Sequence, residues 1–429
     1  MSAAGASDAP PAYRHNVRRY MAFYFFYDLQ LWMPIWVTFL IDDQNFSFTK
    51  ITLIGVPFWI IVAFGQVPAG ALSDRWGRVW SLRAGAVLYA ASMIAFGLAD
   101  SFAPIMLSWV LWALAFAIVT GADSAFLHDS LKADGRESEF EKMAGRTFAV
   151  RSVAVVIATL LGGPVASAVD IRVPIFLGSV ASVAALAIAL TLREPPRSDQ
   201  STGLSYRQTF GAAFKTVREI PSVALLLPFV AVLLAGTMTS EYLLQPFLRS
   251  HDVGIGFTFS ALQVPVRAMA VVGAMGAFWW VTRFGEARSL LMLPILGVFA
   301  YAGVALVDSV GAIGFFMFVG LVRAISFPVV EGYINRRVPS DQRATILSLN
   351  HMGFALLVIP ILPLIGFTAD EVSLRTTFGI AGIGIAILTS ISGFFWFRAH
   401  RRAGAPLPLA AVEVERRPAP LPGRRSDSS

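Results

Sequence analysis

The chain has 429 residues, of which 56% are hydrophobic and only 14% charged, and its mean hydropathy is +0.66. Soluble domains carry about 25% charged residues, and a soluble protein of this size lacks the polar surface to cover so much apolar material. These figures exclude a soluble enzyme, a disordered chain and a nucleic-acid-binding protein, in spite of the net charge of +7. The class of protein that remains is a helical membrane protein that crosses the bilayer many times. The absence of cysteine excludes disulfides and thiolate metal sites.

The apolar residues form twelve blocks, each near the roughly 20 residues that a membrane helix needs. A transmembrane helix is predicted over each block, at 18–41, 51–72, 83–99, 104–130, 147–168, 174–192, 222–247, 258–281, 290–307, 312–334, 344–366 and 375–397. The loops are short, so no sizeable soluble domain is expected. We divide the chain into a disordered N-terminus (1–16), a first half (17–192), a linker (193–221), a second half (222–400) and a disordered tail (401–429).

The second part of the linker predicts an amphipathic helix that lies at the membrane surface. Phe210, Phe214 and Val217 fall on one helical face, whereas Lys215 and Arg218 fall on another.

Basic residues are concentrated at both ends of the chain and in every second loop. The other loops carry only Lys50, Arg172, Arg249 and Arg375. Because cytoplasmic loops retain Lys and Arg, this distribution predicts a multi-pass protein of the cell (inner or plasma) membrane with both termini in the cytoplasm.

An internal repeat relates the two halves. The run RWGR at 75–78 follows the second helix, and the run RFGE at 283–286 follows the eighth. Their glycines are 208 residues apart, and the same step carries Asp123 onto Glu331. The first helix of each half also contains an acid, at Asp28 and Glu241. These matches predict a duplicated fold with a substrate site between the halves, near the middle of the membrane.

Residues Gly70–Arg78, with the sequence GALSDRWGR, resemble the signature loop G-x-x-x-D-R-x-G-R-R between helices 2 and 3 of the major facilitator superfamily. Val79 replaces its last basic residue. The resemblance implies an all-α integral membrane protein with twelve transmembrane helices in two pseudo-symmetric halves, which works by alternating access. It also implies a cytoplasmic gate, formed by Gly70, Asp74, Arg75, Gly77, Arg78 and Asp129. We expect Arg78 to pair with Asp129, and the two glycines to permit a tight turn and close helix approach.

Two further features are partly similar to the proton-coupled drug exporters of that superfamily. The fifth helix contains the run GGP at 162–164, and the first helix contains Asp28. These exporters carry an arginine in the fourth helix, where this chain has Ala117.

Charged residues within the predicted helices carry most of the functional information. Each would cost about 2.5–3.5 kcal/mol at the centre of a span unless it is paired or faces water. Polar neighbours at helical spacing predict that they line a wet cavity. We assign to this substrate cavity Tyr24, Asp28, Trp32, Asp123, Glu241, Gln245, Arg267, Arg323, Glu331 and Asn350.

Roles for these residues follow from their chemistry. Asp28 is the first candidate for proton coupling and Glu241 the second, because a carboxylate inside the membrane can take up and release a proton near neutral pH. Asp123 and Glu331 either take part in function or form structural ion pairs, with Arg151 or Arg343 as partners. Arg267 and Arg323 either hold an anionic group of the substrate or neutralise an acid.

The sequence therefore predicts a secondary active transporter of a small organic solute, with proton-coupled export as the first choice. Proton-linked uptake of an organic anion is the alternative, and a non-transporting sensor on a transporter fold is the alternative from another class. The chain contains no P-loop and no hydrolase or zinc-protease motif, so we expect no enzyme activity, no metal and no cofactor. The expected partners are the solute, protons and the lipid bilayer, not nucleic acid, and the expected state is a monomer.

Overall fold

The computed structural model describes residues 13–196, 206–339 and 342–403. The disordered ends predicted at 1–16 and 401–429 therefore lie mostly outside the described residues. Within the described ranges the chain is helical, without strands. The helices are α1 (Asn16–Tyr27), α2 (Trp36–Asp42), α3 (Phe48–Trp76), α4 (Arg78–Leu98), α5 (Phe102–Thr120), α6 (Asp123–Ala133), α7 (Phe140–Ala168), α8 (Val173–Leu190), α9 (Tyr206–Glu219), α10 (Pro221–Ala224), α11 (Leu226–Gly236), α12 (Met238–Ser250), α13 (Phe257–Phe284), α14 (Glu286–Leu306), α15 (Ile313–Asn335), α16 (Arg343–Glu371) and α17 (Leu374–Arg402).

Eleven stretches of helix are long and apolar enough to cross a membrane, and they coincide with the last eleven predicted helices. The first predicted helix, 18–41, is not continuous. It consists of α1 and α2, which residues 28–35 separate. Pro34 lies in this break, where it has no N–H to continue a helical hydrogen-bond ladder. With this broken segment included, the fold is consistent with twelve membrane segments.

The segments pack as two six-segment halves that meet along two lines. Within the first half, α4 packs on α5 and α8, and within the second half α15 packs on α13 and α14. Between the halves, α3 packs along α16, and α7 packs along α13. The remaining surfaces of the two halves enclose a central space.

The two ends of the bundle differ in how the halves touch. We call the end that carries residues 76–78 the motif face and the other end the opposite face. At the opposite face the halves are bonded: Asp370 accepts hydrogen bonds from the backbone N–H groups of Phe48 and Thr49 at 2.8 Å each, and Arg249 pairs with Asp42 at 3.1 Å. At the motif face the ion pairs described below each lie within one half. Among the described residues, these hydrogen bonds and salt bridges therefore join the halves at the opposite face.

The predicted surface helix is present as α9. Val217 is buried, whereas the side chain of Phe214 is 50% exposed and lies beneath the guanidinium of Arg218, 4.6 Å from its ring centre. α9 packs against α16 and α10. The side chain of Phe210 lies outside the described residues.

Candidate functional site

Breaks in the membrane helices position three of the four intramembrane acids. α1 ends at Tyr27, and Asp28 is its C-terminal cap. The fourth segment breaks between α5 and α6, and Asp123 is the first residue of α6. The seventh segment is irregular at Thr237, which keeps helical dihedral angles (φ −68°, ψ −16°), and Glu241 lies in the first turn of α12. The interruption after Tyr27 is longer, and its non-helical backbone at 28–35 is of the kind that is stable at membrane depth only where protein or a water-filled cavity surrounds it.

In the first half, Arg151 of α7 bridges two of these acids. Its Nε lies 2.5 Å from Oδ2 of Asp28, and its Nη1 lies 3.3 Å from Oδ2 of Asp123. The guanidinium also stacks over Tyr24, 4.3 Å from the ring centre, and the Tyr20 hydroxyl donates a hydrogen bond to Asp123. The expected pairing of Asp123 with Arg151 is confirmed. We call Asp28, Asp123 and Arg151 the acid–arginine cluster; in it, two carboxylates share one cation.

Sequence reasoning missed Arg151 as a site residue and considered it only as a pairing partner. The signal was available, because position 151 falls inside the predicted helix 147–168 and a cation there needs a partner.

The structure removes Trp32 from the wall of the central space. Helical spacing placed it on the face of Asp28, but the chain is not helical from 28 to 35, so that spacing does not apply. Trp32 is fully buried inside the first half, where its indole N–H donates to the hydroxyl of Tyr89 at 2.7 Å. Tyr24 is also buried and reaches the site only through its contact with Arg151.

In the second half, Arg323 and Glu241 form an ion pair. Nη1 of Arg323 lies 2.9 Å from Oε1 of Glu241, and the side chains are 34% and 41% exposed, so water reaches this pair inside the bundle. Arg323 therefore neutralises an acid, which was one of its two expected roles. Glu331 is exposed two turns further along α15 and has no salt bridge within the described ranges.

Of the two arginines assigned to the cavity, Arg323 has its acid, whereas Arg267 forms no salt bridge with any described residue. Its Nε is buried and has no hydrogen-bond partner there. Asn350 is buried on α16, and its Oδ1 likewise lacks a partner in the described chain. Unsatisfied buried polar groups of this kind call for an explanation such as a ligand or water.

Gln245 joins the halves instead of facing the central space. Its Oε1 accepts from the N–H groups of Val37 and Thr38 at 3.0 and 3.2 Å, and its Nε2 donates to the carbonyl of Met33 at 2.9 Å. It therefore caps the first turn of α2 from the other half, which satisfies N–H groups that a helix start leaves free. Both ends of its amide bind backbone groups of the other half, and its contact with substrate stays a prediction.

The signature loop folds as the sequence predicts around its second glycine. Gly77 has φ +108°, in the region that favours glycine, and joins α3 to α4. Arg78 forms the expected salt bridge with Asp129 and also donates to the carbonyl of Ala125 at 2.7 Å. Both partners belong to the first half, so this pair stiffens one half and does not bridge the two. Glu194, which sequence reasoning missed, accepts from the backbone N–H groups of Arg78 and Val79 at 2.8 Å each.

The other expected gate residues differ in their surroundings. Asp74 and Arg75 are exposed at the motif face and form no salt bridge with any described residue. Gly70 has open space where a Cβ would stand. The close helix approach instead requires Gly121, whose Cβ would lie 3.1 Å from the backbone nitrogen of Gly70.

Comparison with known proteins decides the family. The sequence model of the Major Facilitator Superfamily matches residues 20–359. The chain belongs to the Major Facilitator Superfamily. It is therefore a multi-pass membrane transporter, which confirms the coarse prediction of a transporter.

Named relatives of this superfamily member include two proteins of Bacillus subtilis (strain 168). Multidrug resistance protein 1 is 24% identical over 394 residues, which are 88% of this chain and 95% of the relative. The uncharacterized MFS-type transporter YxaM is 23% identical over 351 residues, 75% of this chain and 80% of the relative.

Solved structures show the same fold. The nucleoside transporter NupG has a TM-score of 0.75 at 14% identity, with 89% of this chain and 98% of that one covered. A bacterial homologue of the human lysosomal transporter Spinster, inward-facing and unoccupied, has a TM-score of 0.72 at 18% identity, with 91% and 98% covered.

The superfamily fold also explains the second copy of the signature loop. Gly285 has φ +78° and occupies the position of Gly77. Glu286 follows it and forms salt bridges with Arg336 and with Arg337, the latter at 2.8 Å. In each half, therefore, an ion pair at the motif face ties the loop to a neighbouring segment of the same half.

Proposed function

We propose that this protein exports a small organic solute across the cell membrane in exchange for protons, with the motif face in the cytoplasm. The two halves rock as units about the central space, and the pathway carries the acid–arginine cluster. The observation that carries this proposal is Arg151, which holds Asp28 and Asp123 together at the edge of that space.

Sharing one arginine between two acids makes proton uptake and solute binding compete. The cluster has a net charge of −1 when both carboxylates are ionised. A proton on Asp28 neutralises the cluster, and a cationic or amphipathic solute that binds beside it favours release of that proton. Each proton that enters through a membrane potential of 100 mV supplies about 2.3 kcal/mol. The relationship to Multidrug resistance protein 1 supports export of this kind.

Transport also requires the opposite face to open. The contacts of Asp370 and Gln245 between the halves break in that step. Arg78–Asp129 and Glu286–Arg337 lie within single halves and can persist, so each half keeps its shape while it moves. We assign residues 17–192 and 222–400 to the moving units and expect a monomer to be sufficient.

Proton-linked uptake of an organic anion is the second candidate. Arg267 supports it, because its Nε is buried and has no partner among the described residues. In this alternative the anion binds Arg267, and Asp28 carries the proton inward with it.

Liposomes that contain the purified protein, without ATP, distinguish these functions. We expect an imposed pH gradient to drive a lipophilic cationic dye in the direction opposite to the protons, which a pH-sensitive dye records. Asp28→Asn should abolish gradient-driven transport, whereas Asp308→Asn, an exposed acid at the opposite face, should not. Gradient-driven transport that survives Asp28→Asn would refute the coupling proposal. Movement of an organic anion together with protons would replace export by uptake, and no movement of any compound would favour a sensor.

A further inference from the structure

A cavity of about 710 Å³ opens at the motif face, and no residue of the acid–arginine cluster lines it. It lies between the start of α1, the loop before α7 and the first two turns of α7. This volume is within the range of cavities that hold small ligands, about 300–1,000 Å³. None of the roles proposed above uses it.

Four arginines form the rim of this cavity. Arg14, Arg18, Arg136 and Arg146 line it, together with a single acid, Asp134. Arg136 is already paired, with Asp134 at 3.2 Å and with the neighbouring Glu139 at 2.9 Å. The other three arginines form no salt bridge with any described residue. Arg136 with its two acids carries a net charge of −1, so the four arginines and two acids together give the rim a net charge of +2.

The floor of the cavity is apolar. Val17, Met21 and Met143 line it, and Val17 and Met143 are buried. Arg14, in the turn before α1, and Arg18, in the first turn of α1, both line the cavity beside this floor. A ligand that fits has a compact anionic group for the rim and an apolar or neutral part for the floor.

Phosphate matches this rim better than a carboxylate does. Arginine binds phosphate oxygens through paired N–H groups, and three guanidinium groups can surround a phosphate from different sides. The site lies at the end of the bundle, because α1 begins at Asn16 and α7 at Phe140.

We infer that this cavity binds the phosphate group of either an anionic phospholipid of the adjoining leaflet or a phosphorylated solute. Both ligands would place a phosphate against the arginines of the rim. They differ in the part of the ligand that covers the apolar floor. Binding here would add contacts between α1 and α7, the helices that hold Asp28 and Arg151.

Titration calorimetry on the purified full-length protein in neutral detergent tests this inference. The probes are dioctanoyl phosphatidylglycerol, dioctanoyl phosphatidylcholine and inorganic phosphate. We expect phosphatidylglycerol to bind at least about tenfold more tightly than phosphatidylcholine, since one charge-assisted contact alone is worth about a factor of ten. The double variant R18Q/R146Q should lose about tenfold or more in affinity for phosphatidylglycerol by the same reasoning.

Two further variants control for the loss of positive charge and for the loss of an arginine outside the cavity. R18K/R146K keeps the positive charges that orient the chain but loses the paired N–H groups, and it should weaken binding severalfold. R288Q removes an exposed arginine at the motif face that does not line the cavity, and it should leave binding unchanged. Each variant must retain the thermal unfolding midpoint of the parent protein.

The outcomes distinguish a phospholipid from a phosphorylated solute. Binding of phosphatidylglycerol without measurable binding of inorganic phosphate identifies a lipid site, and binding of both identifies a site for phosphorylated solutes. Equal affinity for phosphatidylglycerol and phosphatidylcholine, or equal affinity in R18Q/R146Q and R288Q, would overturn the inference. Because the measurement is binding and not transport, its result is independent of the proposed exchange of protons.

Discussion

Asp370 holds the opposite face closed by capping a helix of the other half. Its carboxylate accepts from the N–H groups of Phe48 and Thr49 at 2.8 Å each and from the Thr49 hydroxyl at 2.6 Å. These N–H groups belong to the first turn of α3, where no helical partner exists. In the state in which this face is open, Asp370 no longer caps α3. Asp370→Ala therefore destabilises only the closed state, and we expect it to shift the equilibrium toward the open state.

The size of the shift follows from the value of a helix cap. Removing an N-cap side chain costs about 0.5–2 kcal/mol, and the two charged contacts here argue for the upper part of that range. Since about 1.4 kcal/mol corresponds to a factor of ten, the equilibrium constant for opening should rise about 2- to 30-fold.

Cysteine labelling measures this equilibrium directly, because the chain has no cysteine of its own. Ser260 lies at the opposite face, where it is fully buried and its Oγ accepts from the N–H of Gly163 across the halves. In an S260C background, a maleimide added from that side reacts only when the face opens. The labelling rate should rise by the same 2- to 30-fold factor in the Asp370→Ala variant.

Asp308→Asn is the matched control, since Asp308 is an acid at the same face that is 77% exposed and contacts only its own half. It should leave the labelling rate unchanged. An unchanged rate in Asp370→Ala, or an equal rise in both variants, would show that caps between the halves do not hold this face closed.

Three other substitutions test separate parts of the structure. Glu194→Gln weakens the cap of α4 and should lower the thermal unfolding midpoint by about 2 °C; an unchanged midpoint would show that this cap contributes nothing. Gly163→Ala places a Cβ 2.5 Å from the carbonyl oxygen of Gly256 in the other half, so S260C labelling should increase, whereas Gly145→Ala, with open space around it, is the silent control; equal labelling in both would contradict the packing described. Glu286→Gln leaves two arginines without their acid and should reduce transport and the unfolding midpoint together; a loss of transport with an unchanged midpoint would point to a role in gating instead.

Hydrophobic length and charge distribution predicted most of the fold. The twelve apolar blocks, the repeat and the signature loop gave the segment count, the duplication and the turn at Gly77, because each depends on local sequence. The break after Tyr27 was not predicted, since residues 28–35 are nearly as apolar as a helix. That break is stable because Gln245 and Gln263, distant in sequence, bind its backbone groups at Met33 and Pro34.

The candidate site was predicted in its members but not in its pairings. Asp28, Asp123, Glu241 and Arg323 lie where charges in membrane helices are expected, beside a partner or water. Which cation serves which acid depends on how α7 packs against α1, and helical spacing within one segment contains no such information. The same limit explains Trp32, whose predicted position assumed a continuous helix.

The two faces of the bundle should respond to different properties of the solution around them. At the opposite face several of the groups that separate are backbone N–H and C=O dipoles, as at Gln245 and Gln263, and water can replace each such contact one for one. At the motif face the unpaired arginines and exposed ion-forming groups interact over distances that dissolved salt screens. Solutes that change water activity should therefore act mainly at the opposite face, where Arg249–Asp42 is a salt bridge between the halves, and ionic strength should act mainly at the motif face.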